Sequence, residues 1–219
     1  MEALEAIKGR RSIRGFKPEP VDQNTLYEIL EVARWSPSYK NSQPWEVTVV
    51  SGKKKEELSD MLIKLLREGR PFNPDLAHPQ KWPLRETKRI ERLMRSRGVI
   101  RDLPKDEKEA QRLIQEANFR FYGAPHVLFL HQSKELSMWS LFDLGLFAQT
   151  LMLSAYAKGV HSVPQAFVTL YANEIKEFLG IPQTQRLIIA ISMGYPDTSS
   201  PEYRFRSERD PVEEFVKWV

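Results

Sequence analysis

Three arginines and a serine crowd the run Arg10-Arg11-Ser12-Ile13-Arg14-Gly15-Phe16. A guanidinium presents a planar fork of donors that matches phosphate oxygens, and a hydroxyl adds a small donor to the same group. If the stretch is extended, Arg10, Ser12 and Arg14 share one face, because side chains alternate along a strand. Such a face is a compact site for a phosphate-bearing ligand. A solvated basic turn is the other reading of these residues. A second stretch dense in amides and hydroxyls is Ser36-Pro37-Ser38-Tyr39-Lys40-Asn41-Ser42-Gln43-Pro44-Trp45. Prolines bracket it, which marks a loop.

The elements that must hold these stretches follow from periodicity. A short helix is expected over Glu2 to Lys8, with Leu4 and Ile7 at helical spacing. Asp22 is a good N-cap for a helix carrying Leu26, Ile29, Leu30 and Ala33, which ends near Trp35. The polar loop then feeds the β-branched run Trp45 to Val50, read as a strand. Helices are expected from Lys53 to Glu68, Leu84 to Arg97 and Lys105 to Phe121. Gly69 to Pro83 reads as a surface loop. Gly123-Ala124-Pro125 opens a buried strand over His126 to Leu130. The segment from Ser137 to Lys158 is apolar on nearly all faces, which suits a core or a subunit interface. It is too interrupted for a membrane span. Val160 to Val168 reads as extended, Asn173 as the cap of a short helix, and Arg186 to Met193 as a third strand. The stretch from about 69 to 121 is a helical insertion between two strands.

Composition narrows the chemistry. The 219 residues, 41% hydrophobic and 28% charged, suit one sizeable domain. No cysteine is present, so disulfides, thiolate metal sites and a cysteine nucleophile are excluded. A reducing, cytoplasmic setting is the expectation, since the N-terminus has no apolar signal region. The net charge is +4, and much of the excess lies between Lys81 and Arg101, where acids are interleaved. That run reads as a solvated helix face, so neither a nucleic-acid nor a membrane partner is expected. No dinucleotide fingerprint, P-loop or nucleophile elbow occurs, and the four histidines lack metalloprotease spacing.

Taken in order, the arginine stretch and the Ser36 to Trp45 loop are followed by further motifs. These are Gly123-Ala124-Pro125, Val163-Pro164-Gln165-Ala166, Gly194-Tyr195-Pro196-Asp197 and Phe205-Arg206-Ser207-Glu208-Arg209. Over nearly the whole chain this series resembles the FMN-dependent nitroreductase family. The resemblance implies an α+β fold, with a central mixed β-sheet flanked by helices in three layers. It implies an intertwined homodimer with FMN at the interface, the helix from Ser137 in that interface, and a tail over 197–219 reaching the partner. It implies reduction of nitroaromatic or quinone-like acceptors with NADH or NADPH by a ping-pong route.

Residue by residue, the resemblance places Arg10, Ser12 and Arg209 on the FMN phosphate, with Arg11 and Arg206 nearby. Arg14 would sit near the flavin N1/C2=O edge, where a cation favours the reduced form. Ser38 and Asn41 would contact the ribityl chain and pyrimidine edge, with Pro37 shaping the turn. Gln43 would either contact the flavin or brace its loop. Pro164, Gln165 and Ala166 would lie along the flavin edge, with backbone donors near N5 and O4. No side chain is expected to act as acid, base or nucleophile, because the cofactor carries that chemistry. Phe72, Trp82, Phe119, Phe121 and Tyr122 are candidate aromatic contacts to the acceptor, or packing residues. Gln43-Pro44-Trp45 departs from the Glu-Pro-Trp associated with the deiodinase branch. Two further readings stay open: a flavin-dependent dehalogenase or dehydrogenase that uses nicotinamide poorly, and a flavin-storing or nucleic-acid-binding protein without turnover.

Overall fold

The computed structural model describes residues 2–98 and 103–219. The end of the Lys81 to Arg101 charge run lies outside the described residues. Helices α1 (Ala3–Gly9) and α2 (Gln23–Ala33) precede strand β1 (Glu46–Ser51). Helices α3 (Gly52–Arg67), α4 (Leu84–Gly98) and α5 (Glu107–Phe119) come next, followed by β2 (His126–Ser133). Helix α6 (Ser140–Ala157), β3 (His161–Gln165), α7 (Ala172–Leu179) and β4 (Gln185–Gly194) complete the body.

The strands form one sheet in the order β1-β2-β4-β3, and every pair is antiparallel. The mixed sheet expected from the resemblance is thus not found among the named strands. Its parallel character is confined to the bridge between Ser12 and Ser162, where the arginine stretch runs beside β3.

Alternation on the strands assigns two cores. On β2, Val127 and Phe129 face a core shared with α3, α5 and α7, whereas Leu128 and Leu130 face α2 and α6. On β4 the pairing shifts register between Leu130 and His131, which skips Ile188. That bulge lets Leu187 and Ala190 join the first core and Ile189 and Ile191 the second.

Local signals set several boundaries. The Asp22 carboxylate caps α2 by accepting from the Thr25 N–H at 2.9 Å. Helix α2 stops at Ala33, two residues before the expected Trp35, which is left exposed. Gly159, at φ 74, ends α6 in a left-handed turn that a Cβ would disfavour. Asn173 is not the cap of α7, which starts one residue earlier. The orphan Asn173 N–H is instead satisfied from a distance, by Asn73 Oδ1 at 2.9 Å.

The Gly69 to Pro83 segment is more than a surface loop. The Asp75 carboxylate binds the fully buried Lys176 Nζ at 2.7 Å and accepts from the Leu187 N–H at 2.9 Å. Helix α4, by contrast, buries none of its described residues. It is held by the C-terminal tail of its own chain. Arg89 and Arg92 both bind Asp210, the latter at 2.8 Å, and Arg97 binds Glu202 at 3.0 Å. Within the chain the tail lies against α4, which supplies the cations that match its acids.

Candidate active site

The backbone from Ser12 to Asp197 builds the arginine stretch as an edge element. The Ile13 N–H donates to the Ser162 carbonyl at 3.1 Å, and the Lys17 N–H to the Tyr195 carbonyl at 2.9 Å. Ile13 is buried in the first core. With that side chain pinned inward, alternation turns Arg10, Ser12 and Arg14 toward one cavity. Upstream, Gly9 lies against α6, where an added Cβ would stand 2.4 Å from the Tyr156 hydroxyl.

The cavity measures about 470 Å³. Its described lining holds Arg10, Arg11, Arg14, Arg97, Arg206 and Arg209, with Lys8, Ser12 and Ser207, and no acidic residue. Among the described residues, the buried Nε atoms of Arg10, Arg11 and Arg97 find no hydrogen-bond partner. So many like charges repel one another unless an anion joins them. Burial first, and then the nearby Arg209, pull Arg10 below the usual guanidinium value. Burial and Arg97 do the same to Arg14, partly offset by Tyr122 and Glu202. Arg11 stacks over Tyr203, its guanidinium carbon 4.5 Å from the ring centroid. Arg206 donates to the Lys8 carbonyl, and Arg209 to Ser207 Oγ at 2.7 Å.

Six of the expected residues therefore meet: Arg10, Arg11, Ser12, Arg14, Arg206 and Arg209. Arg97 joins them and was not singled out by the sequence, where the run around it reads as a solvated face. Its side chain is only 12% exposed. A helix with cations on every side gives no sign of which one turns inward.

The Ser36 to Trp45 loop does not line this cavity. Asn41, Gln43 and Pro37 are exposed and Ser38 is half-buried. Lys40, Asn41 and Gln43 all adopt left-handed backbone, with φ of 51, 56 and 48 degrees. Such strain in three of four neighbouring positions persists only where the surroundings impose it. Ser38 Oγ accepts from the Gln43 N–H at 3.0 Å, and Gln43 Nε2 donates to the Asn41 carbonyl at 3.2 Å. Gln43 thus braces the loop. The Tyr39 N–H donates to the Asp143 carboxylate at 3.2 Å, and Trp45 stacks on Phe147 at 4.9 Å. The loop is therefore fastened to the N-terminal end of α6, while Gly9 sits by Tyr156 near the other end. Thirteen residues of helix separate the two anchors, roughly 20 Å.

Pro164, Gln165 and Ala166 close β3 and also lie outside the cavity lining. The Gln165 side chain is buried, donating to the Asn118 carbonyl at 3.1 Å and accepting from Ser192 Oγ. Pro164 has no N–H to donate. Of the candidate aromatics, Phe119 and Phe121 are fully buried core residues. Phe72 packs on Tyr171 at 5.1 Å and Trp82 is half exposed. Tyr122 faces the site, its ring under the Arg14 guanidinium at 5.9 Å.

His161 adjoins the arginine stretch, edge-on to Tyr156 at 5.2 Å, with Nδ1 buried and unpartnered. Burial, and then Arg11, lower it from the ordinary 6.5 to about 4. A folded value below the unfolded one means that protonation favours the unfolded chain. The stability that neutral His161 contributes is complete above pH 6.5 and is lost as the pH falls from there toward 4. The cofactor-free protein should show this as a falling melting temperature, with a His161→Gln variant falling less steeply over the same range. Equal slopes would remove His161 as the source.

Residues 7–195 match the family model described as the nitroreductase family. The chain belongs to the nitroreductase family. Among curated members, it is 33% identical to nitroreductase NfnB of Mycolicibacterium smegmatis, over 99% of this chain and 92% of that protein. It is 30% identical to a 4-nitrobenzoate reductase of Pseudomonas putida, over 97% of this chain and 93% of that protein. The crystal structure of the FMN-dependent nitroreductase NfnB from Mycobacterium smegmatis in complex with NADPH superposes with a TM-score of 0.94. There the identity is 31%, covering 99% of this chain and 97% of that one. This nitroreductase-family member thus shares both sequence and fold with its relatives along essentially its full length. No helix among the described residues is long and apolar enough to cross a membrane.

Proposed function

We propose that this chain is an FMN-dependent oxidoreductase that takes electrons from NADPH or NADH and reduces nitroaromatic or quinone-like acceptors. The observation that carries the reading is the cavity of six arginines with buried, unpartnered Nε atoms on Arg10, Arg11 and Arg97. A phosphate monoester brings about −1.5 to −2 charges and three acceptor oxygens, which fits that donor set. Arg10, Ser12 and Arg209 would hold this phosphate, with Arg11 and Arg206 beside them.

When bound, FMN supplies the two-electron relay between donor and acceptor. The chain's own residues bind it and set its electrostatics. Arg14 is disfavoured as a cation by burial and by Arg97. Negative charge arriving beside it relieves both effects, so Arg14 and Arg97 together favour the reduced cofactor. Tyr122 keeps Arg14 oriented through its ring. Backbone donors at Gln165 and Ala166 would orient the reactive edge.

A symmetric pair of chains explains why the loop and the arginines stand at opposite ends of α6. Phe142, Gly145 and Gln149 leave one α6 face exposed, with Leu146, Leu153 and Tyr156 half-buried beside them. Two such faces packed antiparallel would carry Ser38, Asn41 and Gln43 of one chain toward the arginines of the other. The homodimer is thus part of the reading. So is a cytoplasmic location, which rests on the absence of cysteine.

The test is the visible spectrum of the purified protein, followed by anaerobic addition of NADPH or NADH and then a nitroarene. Flavin bands that bleach with the nucleotide and return with the nitroarene are the expected result. Bands that stay unchanged would leave a flavoprotein of the dehalogenase type, and no bands after reconstitution would end the flavin reading.

A further inference from the structure

Arg85, Arg89 and Arg92 recur at helical spacing on α4, so they share one face. Between that helix and the tail lies a second cavity of about 800 Å³. Ile90, Leu93, Phe205 and Phe215 make its apolar lining, and Arg89, Arg92, Arg206 and Arg209 its positive charge, set against Glu208 and Asp210. Leu93, Phe205, Arg206, Ser207 and Arg209 also line the arginine cavity, so the two cavities adjoin across these shared side chains. The junction lies at the phosphate-binding end. Arg14, assigned to the flavin edge, lines the first cavity and not the second.

The second cavity already contains an anion of the chain's own. Asp210 Oδ2 accepts from Arg89 Nε at 2.5 Å, and Oδ1 from Arg92 Nη2 at 2.8 Å. Two guanidinium groups therefore grip one carboxylate as they would grip a ligand. Glu208 also approaches Arg92, at 3.7 Å, with its side chain exposed.

We propose that the cleft between α4 and the C-terminal tail receives the adenosine end of the pyridine nucleotide. Arg89 and Arg92 read its 2′-phosphate, and Asp210 is a built-in competitor for them. The inference rests on the reading of the protein as an NAD(P)H oxidoreductase. A small nitroarene must lie at the flavin ring and would not reach this cleft, whereas a dinucleotide is long enough to span both. The apolar residues suit the faces of adenine. A 2′-phosphate brings about two charges and three acceptor oxygens to the pair. Asp210 holds both arginines, while Glu86 and the exposed Glu208 approach Arg89 and Arg92 more loosely, so the phosphate competes for the two arginines with Asp210 first. The 2′-hydroxyl of NADH carries no charge with which to displace Asp210. The exchange therefore favours NADPH.

Two variants of the holoenzyme test this, because both break the same contact between α4 and the tail. Arg89→Gln combined with Arg92→Gln should lower the ratio of NADPH to NADH kcat/KM by about tenfold or more. Asp210→Asn should raise that ratio by about threefold to tenfold, since it removes the competitor and keeps the arginines. Calorimetric binding of adenosine 2′,5′-bisphosphate to the oxidised holoenzyme should move in the same opposite directions. If the contact only fastens the tail, both variants shift the ratio the same way or leave it alone, and the site is overturned. A wild-type holoenzyme whose flavin neither nucleotide reduces would sink the donor reading and this site with it. Reduction by both nucleotides with unaltered ratios in the variants would overturn the site alone.

Discussion

Replacing Arg10 and Arg209 together by alanine is expected to strip the protein of FMN. On the proposed phosphate assignment each would supply charge-assisted donors, worth about 1.5–3 kcal/mol apiece, or roughly 10- to 150-fold in affinity. They act on one group, so their effects will not simply add, and a loss on the order of 10²- to 10³-fold is anticipated for the pair. Equilibrium dialysis with FMN fluorescence measures it. The companion expectation concerns the cofactor-free state. Arg10 is destabilised as a cation by burial and by Arg209. Removing both charges should leave the melting temperature of the empty protein unchanged or higher. A protein that binds FMN with parental affinity after both substitutions would refute the phosphate assignment. One that also melts much earlier would show that these arginines hold the fold instead.

The largest stability effect is expected far from that cavity, at Asp75. Lys176 has no exposed side-chain surface, and Asp75 is its 2.7 Å partner. Burial lowers the Lys176 ammonium, and Asp75 works against that shift. Asp75→Ala leaves a buried cation uncompensated and frees the Leu187 N–H, at a cost of about 3–5 kcal/mol. In a chain of this size that corresponds to a melting temperature lower by roughly 6–20 °C. Adding Lys176→Met to Asp75→Ala should recover much of the loss, because a well-packed apolar side chain does not need the partner. If the double variant is no better than the single, the carboxylate acts through the Leu187 N–H and not through Lys176. Acid gives a second view of the same group. Burial raises Asp75, but Leu187, Lys176 and Lys134 outweigh it and hold it below the ordinary 3.8. Its contribution is therefore present above that pH and is lost as the pH falls through the lowered value.

The two sites differ in how far sequence alone could reveal them. The arginine stretch is local: three cations and a hydroxyl lie within five positions, and alternation is enough to put Arg10, Ser12 and Arg14 on one face. Arg97 is not local. It reaches the same cavity from a helix whose every face carries cations, and only the path of α4 across the body decides which one enters. The same holds for Asp75. In sequence it is one acid in a proline-rich segment, and its partners Lys176 and Leu187 lie about a hundred residues away. The all-antiparallel sheet was equally hidden. Strand runs are visible from β-branched residues, but their relative direction depends on how α3 to α7 carry the chain between them. The bulge at Ile188 shows the limit in miniature, since a plain apolar run does not say where alternation slips by one residue.

By itself, then, the sequence determined the chemistry this protein is equipped for and the chemistry it lacks. Arginines and a hydroxyl at strand spacing suit a phosphate or a solvated basic turn, the ordered series of motifs favours the phosphate, and the absence of cysteine removes thiol chemistry. Those conclusions follow from residue type and short spacing, which need no tertiary information. What only the tertiary structure decided is which distant groups complete the site. It brought Arg97 beside Arg14, laid Asp210 between Arg89 and Arg92, and set the polar loop and the arginines at opposite ends of α6. Charge and hydrogen-bonding interactions act over a few ångströms in space, whatever the separation along the chain, so those pairings exist only once the chain is folded.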